Sequence, residues 1–153
     1  MISNADKPDA LIVDMDGTLA NVSSIRHYVT RPRNEKDFDS FHRASLFVPP
    51  NHEVAMIVDQ CHATGMTVFV VTARRSMWER PTRDWLHKHG IPYDALCMRG
   101  NQDHRRDVEV KKDILTRIRK THTPVIAIDD NPSVLALWEA EHIKTIRIPG
   151  WEE

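Results

Sequence analysis

Leu11-Ile12-Val13-Asp14-Met15-Asp16-Gly17-Thr18 decides how this chain is read, because an apolar run stops abruptly at two carboxylates separated by one residue. Alternate side chains of a strand share a face, and a sharp turn beginning at Gly17 splays the two acids so that both reach one cavity. A nucleophile and its proton partner can then sit side by side. Carboxylates held that close repel each other, so the pair implies a bound cation or a shared proton. Oxygen-rich ligation points to Mg²⁺.

Working outward, four further apolar runs read as buried strands, at 67–71, 95–98, 125–128 and, most weakly, 145–148. Between them lie helical patterns at 53–64, closed by Gly65, at 81–89, closed by Gly90, at 108–120 and at 132–141. Strands and helices alternate, and the strands are almost continuously apolar. That combination predicts an α/β fold with a doubly wound, parallel, five-stranded sheet covered by helices on both faces. Sites in such sheets lie beyond the carboxyl ends of the strands, where strand order reverses. The one long irregular stretch, 21–50, holds Arg31-Pro32-Arg33 and the aromatics Phe38, Phe41 and Phe47. A connection of that length is expected to be a cap or substrate loop over part of the site.

Composition narrows the classes further. At 153 residues and 41% hydrophobic content, residues 1–153 suit one globular domain with one active site. A net charge of −1 excludes a global basic field of the kind that drives non-specific nucleic-acid binding. Cys61 and Cys97 are few and far apart, and the first residues lack the basic-then-apolar pattern of a signal peptide. Reducing cytoplasm is the expected compartment. No apolar run approaches the roughly 20 residues that cross a bilayer, so no membrane partner is expected. His27, His42, His87, His89 and His104 have no zinc-type spacing and are expected at the surface. Trp78, Trp85, Trp138 and Trp151 are expected to pack.

The residues that follow the strands are Asp14 and Asp16, then Thr72-Ala73-Arg74, then Asp129-Asp130-Asn131, with Lys111 opening the helix after the third strand. These are the parts that phosphoryl transfer needs: an attacking carboxylate, a hydroxyl and an ammonium for the phosphoryl oxygens, and acids for the metal. Each has a plainer use. Threonine suits strands, and Asp129-Asp130-Asn131-Pro132 suits a turn and helix cap. Lys111 and Lys112 are adjacent, but Lys111 lies four residues before Leu115 on the inward stripe, whereas Lys112 points about 100° away. Arg74, Arg75, Arg99, Arg105 and Arg106 can line a groove for a phosphate backbone, diluted by Asp103 and Asp107.

Asp14-Met15-Asp16-Gly17-Thr18, Thr72, Lys111 and Asp129-Asp130 resemble the four motifs of the haloacid dehalogenase (HAD) superfamily. Within it, Val70-Val71-Thr72-Ala73-Arg74, Met98-Arg99, Arg106-Asp107-Val108, Val110-Lys111, Ala127-Ile128-Asp129-Asp130-Asn131 and Trp138 are similar to the 3′-phosphatase domain of phage-type polynucleotide kinase/phosphatase. The resemblance implies that Asp14 is a nucleophile forming an aspartyl-phosphate, that Asp16 is general acid and base, and that Thr72 and Lys111 hold the phosphoryl oxygens. It implies Mg²⁺ on Asp14, the main-chain carbonyl of Asp16, and Asp129. Asp130 either supports the metal through water or orients Lys111. Arg74 matches an arginine near the phosphate, and Arg99 and Arg106 are the further expected substrate contacts.

The implied reaction is removal of 3′-phosphates from DNA or RNA ends. Roughly fifty residues between the Asp14 and Thr72 motifs, and about forty between Thr72 and Lys111, are too few for a large cap, so a bulky substrate can approach. The chain has no G-x-x-x-x-G-K-[ST] loop, so kinase or ligase activity would come from a separate partner. Apolar residues in the long loop permit a homo-oligomer face without requiring one. A phosphatase for small metabolites or mononucleotides would use the same site. A phosphoaspartate receiver would need an Asp after the third strand, where Met98-Arg99-Gly100 stands. A catalytically inactive binding domain is the third alternative.

Overall fold

The computed structural model describes residues 4–30 and 36–150; Arg31-Pro32-Arg33 and Trp151 lie outside the described residues. Strands β1 (Asp9–Val13), β2 (Thr67–Arg75), β3 (Ala95–Arg99), β4 (Thr123–Asp129) and β5 (Lys144–Arg147) form one five-stranded sheet in the order β3-β2-β1-β4-β5. Every pairing is parallel, as the alternating pattern predicts. The helices are α1 (Phe38–Ser45), α2 (His52–Ala63), α3 (Glu79–Lys88), α4 (Asp107–Ile118) and α5 (Pro132–Ala140). Parallel neighbours cannot be joined by a tight turn, so each step from strand to strand spends a helical crossover.

The two-residue period of β1 sorts the core into two layers. Leu11 and Val13 pack with Val54 and Val58 of α2 and with Trp85 and Leu86 of α3. Ala10 and Ile12 pack with Val110, Ile114 and Leu115 of α4 and with Val134 and Trp138 of α5. Both faces are therefore closed, and this is why the strands lack polar alternation. Gly65 (φ +93°) and Gly90 (φ +64°) follow α2 and α3 in the left-handed region that ends a helix cheaply.

Strand order reverses about β1, with β2 on one side and β4 on the other. The carboxyl ends of β1 and β4 thus open a crevice, and Asp14 and Asp129 stand at it. Two departures from the expected element bounds matter there. β2 continues through Arg75 instead of stopping at residue 71, with a register shift against β3 between Val71 and Arg75, so extended backbone carries Thr72 and Arg74 out over the crevice. Segment 21–50 is not wholly irregular, because it contains a 3-10 turn at Arg26–Tyr28 and helix α1. Asp37 caps α1, accepting from the Ser40 N–H at 3.0 Å and the Ser40 hydroxyl at 2.6 Å. The buried residues of α1 are Phe41 and Ser45, one turn apart, which is too short a repeat to stand out as a period.

Trp138 is fully buried, yet its indole N–H has no hydrogen-bond partner among the described residues. Trp138→Ala is expected to cost about 3–5 kcal/mol in urea denaturation. Trp138→Phe should cost clearly less, because it keeps much of the packing and removes an unpaired donor.

Candidate active site

The site starts from β1 and β4. Past Val13 the chain turns through Gly17 (φ +82°), and the Thr18 hydroxyl comes back under the acid, 3.1 Å from Asp14 Oδ2 and 3.4 Å from Asp130 Oδ1. Asp129 ends β4 and uses Oδ1 to accept the N–H groups of Asp130 (2.9 Å) and Asn131 (3.0 Å). Asn131 accepts from the Ser133 N–H at 3.0 Å and caps α5, with Pro132 in the first turn. The 129–132 stretch is therefore both helix cap and site wall. Lys111 comes from the inward stripe of α4, 2% exposed while Lys112 faces solvent. Its ammonium donates to Asp14 Oδ1 at 3.0 Å and to Asp129 Oδ2 at 2.8 Å.

Oxygens of Asp14, Asp129 and Asp130 lie within 4.8 Å of one another, and all three residues are buried. Burial and the Asp129 charge raise the Asp14 pKa from 3.8 to about 7, against the pull of Lys111. Burial and the charges of Asp14 and Asp129 raise the Asp130 pKa to about 10, and its Oδ2 has no hydrogen-bond partner among the described residues. Burial works against the Lys111 ammonium, but Asp129 and Asp14 outweigh it and hold the charge on. Ionised together, three carboxylates would outnumber the one ammonium, so without a cation the cluster makes up the shortfall with protons. A hard, oxygen-seeking cation fits that deficit and the unpaired Asp130 oxygen.

Asp16 is not part of this cluster, and its carboxylate is turned the other way. Arg74 grips it bidentately, Nε to Oδ2 at 2.9 Å and Nη2 to Oδ1 at 2.6 Å. Burial would raise the Asp16 pKa, but the guanidinium holds it below the usual carboxylate range. Arg74 is itself 1% exposed and donates to Thr82 Oγ1 of α3 and Ser45 Oγ of α1, each at 2.9 Å. As a metal ligand, then, Asp16 has only its main-chain carbonyl to offer.

Asp14, Asp16, Thr72, Arg74, Arg99, Lys111, Asp129 and Asp130 all line one cavity of about 530 Å³. Thr72 is buried there and accepts from the Arg74 N–H at 3.1 Å. Arg99 spends four hydrogen bonds shaping the wall, on the carbonyls of Ala73, Asp103 and Arg105 and on the Asp107 carboxylate. Arg106 does not reach the cavity. It stands at the N-cap of α4, where Glu109 holds its backbone N–H, and its side chain is 85% exposed. Arg105 lines the wall instead.

Lys36, Phe38 and His42 line the cavity from segment 21–50, which was expected over part of the site, whereas Trp78 and His104 were not placed there by sequence reasoning. His42, expected at the surface, sits edge-on to Phe41 with ring centroids 5.4 Å apart, and its Nδ1 is buried with no hydrogen-bond partner among the described residues. Burial pushes its pKa down, and Asp16 partly offsets that. The Asp37-x-x-Ser40 spacing, which caps α1, is the one local signal from which the helix in this wall could have been read.

A doubly wound sheet with acids at the ends of β1 and β4, a hydroxyl after β2 and a lysine on α4 is the plan of a HAD-type phosphatase, a phosphoric monoester hydrolase. The chain belongs to the family of polynucleotide kinase PNKP phosphatase domains, whose family model matches residues 8–149. It is 24% identical over 141 residues to a protein of Autographa californica nuclear polyhedrosis virus described as a bifunctional polynucleotide kinase/RNA ligase, covering 91% of this chain and 19% of that protein. It is also similar to a chain in the Pnkp1/Rnl/Hen1 RNA repair complex, with 26% identity and a TM-score of 0.80, covering 97% of this chain and 45% of that one. The class C acid phosphatase of Bacillus anthracis, at 15% identity and a TM-score of 0.68 over 94% of this chain and 67% of that one, shares the fold. Among the described residues no helix is long and apolar enough to cross a membrane.

The folded pKa values of Asp14 and Asp130 lie above the ordinary 3.8, so the metal-free folded state holds protons that the unfolded chain releases. The contribution of these two groups to stability is then full below pH 3.8 and is lost as pH rises toward about 7 and beyond. Asp130→Asn should therefore stabilise the metal-free protein at pH 8, because the neutral amide needs no proton taken up on folding. Urea denaturation with and without Mg²⁺ checks this, and the stabilisation by Mg²⁺ should shrink in the variant.

Proposed function

We propose that this protein is a Mg²⁺-dependent phosphomonoesterase that removes 3′-phosphates from polynucleotide ends through an aspartyl-phosphate on Asp14. The observation that carries the reading is the Asp14 carboxylate, buried at the cavity floor with Lys111 on Oδ1 and Thr18 beside Oδ2, next to a carboxylate held in an arginine fork. A nucleophile needs a fixed direction, and these contacts supply it.

In the first half-reaction an Asp14 oxygen forms a bond to phosphorus while the bond from phosphorus to the 3′-oxygen breaks. The departing oxygen takes a proton by way of Asp16. The Arg74 fork keeps Asp16 ionised before substrate arrives, so the proton comes in with the phosphate monoanion, whose second pKa is about 6. In the second half-reaction Asp16 takes a proton from water, the water oxygen bonds to phosphorus, and the bond to Asp14 breaks to release inorganic phosphate. Ionised Asp16 suits this step. Thr72 and Lys111 hold the phosphoryl oxygens throughout. Mg²⁺ on Asp14 and Asp129, with Asp130 and the Asp16 carbonyl beside it, would neutralise phosphoryl charge as a Lewis acid.

Polynucleotide ends are favoured by the family match, by the names of the relatives, and by a cavity of about 530 Å³ whose outer wall is formed by α1, Trp78 and the 100–107 loop. Segment 21–50 is the cap in this reading, with α1 as its working part. The chain covers less than half of those relatives, so kinase and ligase steps fall to other segments or partner chains. The free thiols of Cys61 and Cys97 suit a reducing compartment.

Phosphate release from a 3′-phosphorylated oligonucleotide should require Mg²⁺ and exceed release from the 5′-phosphorylated strand. Asp14→Asn should lower kcat by about 10³-fold or more. Asp16→Asn should lower it by about 10²–10⁴-fold while retaining Mg²⁺ binding. Unchanged turnover in either variant contradicts its role.

A further inference from the structure

The cavity holds much more than a phosphoryl group, and the wall that the chemistry leaves unused has a composition of its own. Phe38, at the first turn of α1, lines it while 54% exposed, and α1 buries Phe41 and Ser45 instead, so packing does not account for Phe38. Trp78 ends the 3-10 turn Ser76–Trp78 and lines the same cavity half-buried. His42 stands beside it, ring centroids 6.0 Å apart and tilted by 43°. Each outer aromatic has a cation close by in the chain: Lys36 two residues before Phe38, and Arg75 three before Trp78. Both cations line the cavity, and none of the ion pairs among the described residues engages either. Arg105, by contrast, is neutralised by Asp103 at 2.8 Å and Asp113 at 2.7 Å.

Aromatic faces with cations beside them that join none of those ion pairs, opening from a polar floor, match the parts of one ligand: a base, and a second phosphate further along its strand. We infer that this wall is a subsite for the terminal nucleotide, where the base stacks on Trp78 and Phe38 and the next backbone phosphate meets Arg75 and Lys36. The inference rests on the 3′-phosphatase reading and deepens it by assigning the residues that recognise the strand rather than its phosphate. An extended aromatic is tolerant of base identity, so the subsite selects nucleic acid over other phosphate esters without selecting a sequence.

The test compares kcat/KM of the whole protein with Mg²⁺ on a 3′-phosphorylated oligonucleotide, a nucleoside 3′-monophosphate and p-nitrophenyl phosphate. In Trp78→Ala the ratios of both nucleotide substrates to p-nitrophenyl phosphate should fall about tenfold, mainly through KM, and Trp78→Phe should restore most of the loss. In Arg75→Ala the oligonucleotide ratio should fall while the nucleoside ratio holds, and the salt dependence of oligonucleotide KM should become shallower. Ratios unmoved by either substitution overturn the subsite and leave the phosphatase reading standing. A wild-type protein with no preference for either nucleotide over p-nitrophenyl phosphate overturns both. The Arg75 arm needs no change to an aromatic, so it decides the matter even where Trp78→Ala fails to fold.

Discussion

One buried ammonium among three carboxylates is the interaction on which the site depends. Lys111 bonds both Asp14 and Asp129, which come from neighbouring strands that the chain reaches by separate crossovers. Their proximity exists only because strand order reverses at β1, and their coexistence is tolerable only because α4 aims a lysine between them. The lysine cannot balance three ionised carboxylates, and a divalent cation would replace the protons that make up the difference.

A second constraint is Arg74. It is as buried as the core residues around it, and its donors tie β2 to Asp16 after β1, to Ser45 on α1 and to Thr82 on α3. The two hydroxyls pass their own protons to the main-chain carbonyls of His42 and Trp78, at 2.6 and 2.7 Å, so they can only accept from the guanidinium. The result is that the wall carrying Phe38 and His42 is anchored to the same side chain that grips Asp16. In the proposed function, substrate recognition and proton transfer share one arginine.

The sheet was legible because its strands are buried on both faces, so every strand reads as an apolar run. The residues at the strand ends were legible for the same reason, since Asp14, Thr72 and Asp129 each break such a run. Lys111 could be told from Lys112 by the helical period alone. What escaped were features that depend on long-range pairing: the Arg74 fork on Asp16 spans 58 positions. Helix α1 escaped because two buried residues make no visible period. Arg106 was drawn into the site by its charge, although a capping position faces it outward.

Calorimetric titration of Mg²⁺ into the protein near pH 7, repeated in buffers of different ionisation enthalpy, tests the central claim most directly. Carboxyls at Asp14 and Asp130 that hold protons in the metal-free state must give them up to a cation. The account predicts one bound Mg²⁺ accompanied by proton release that shrinks in Asp130→Asn. Binding without proton release, or an undiminished Mg²⁺ affinity after Asp14→Asn and Asp129→Asn together, would contradict it.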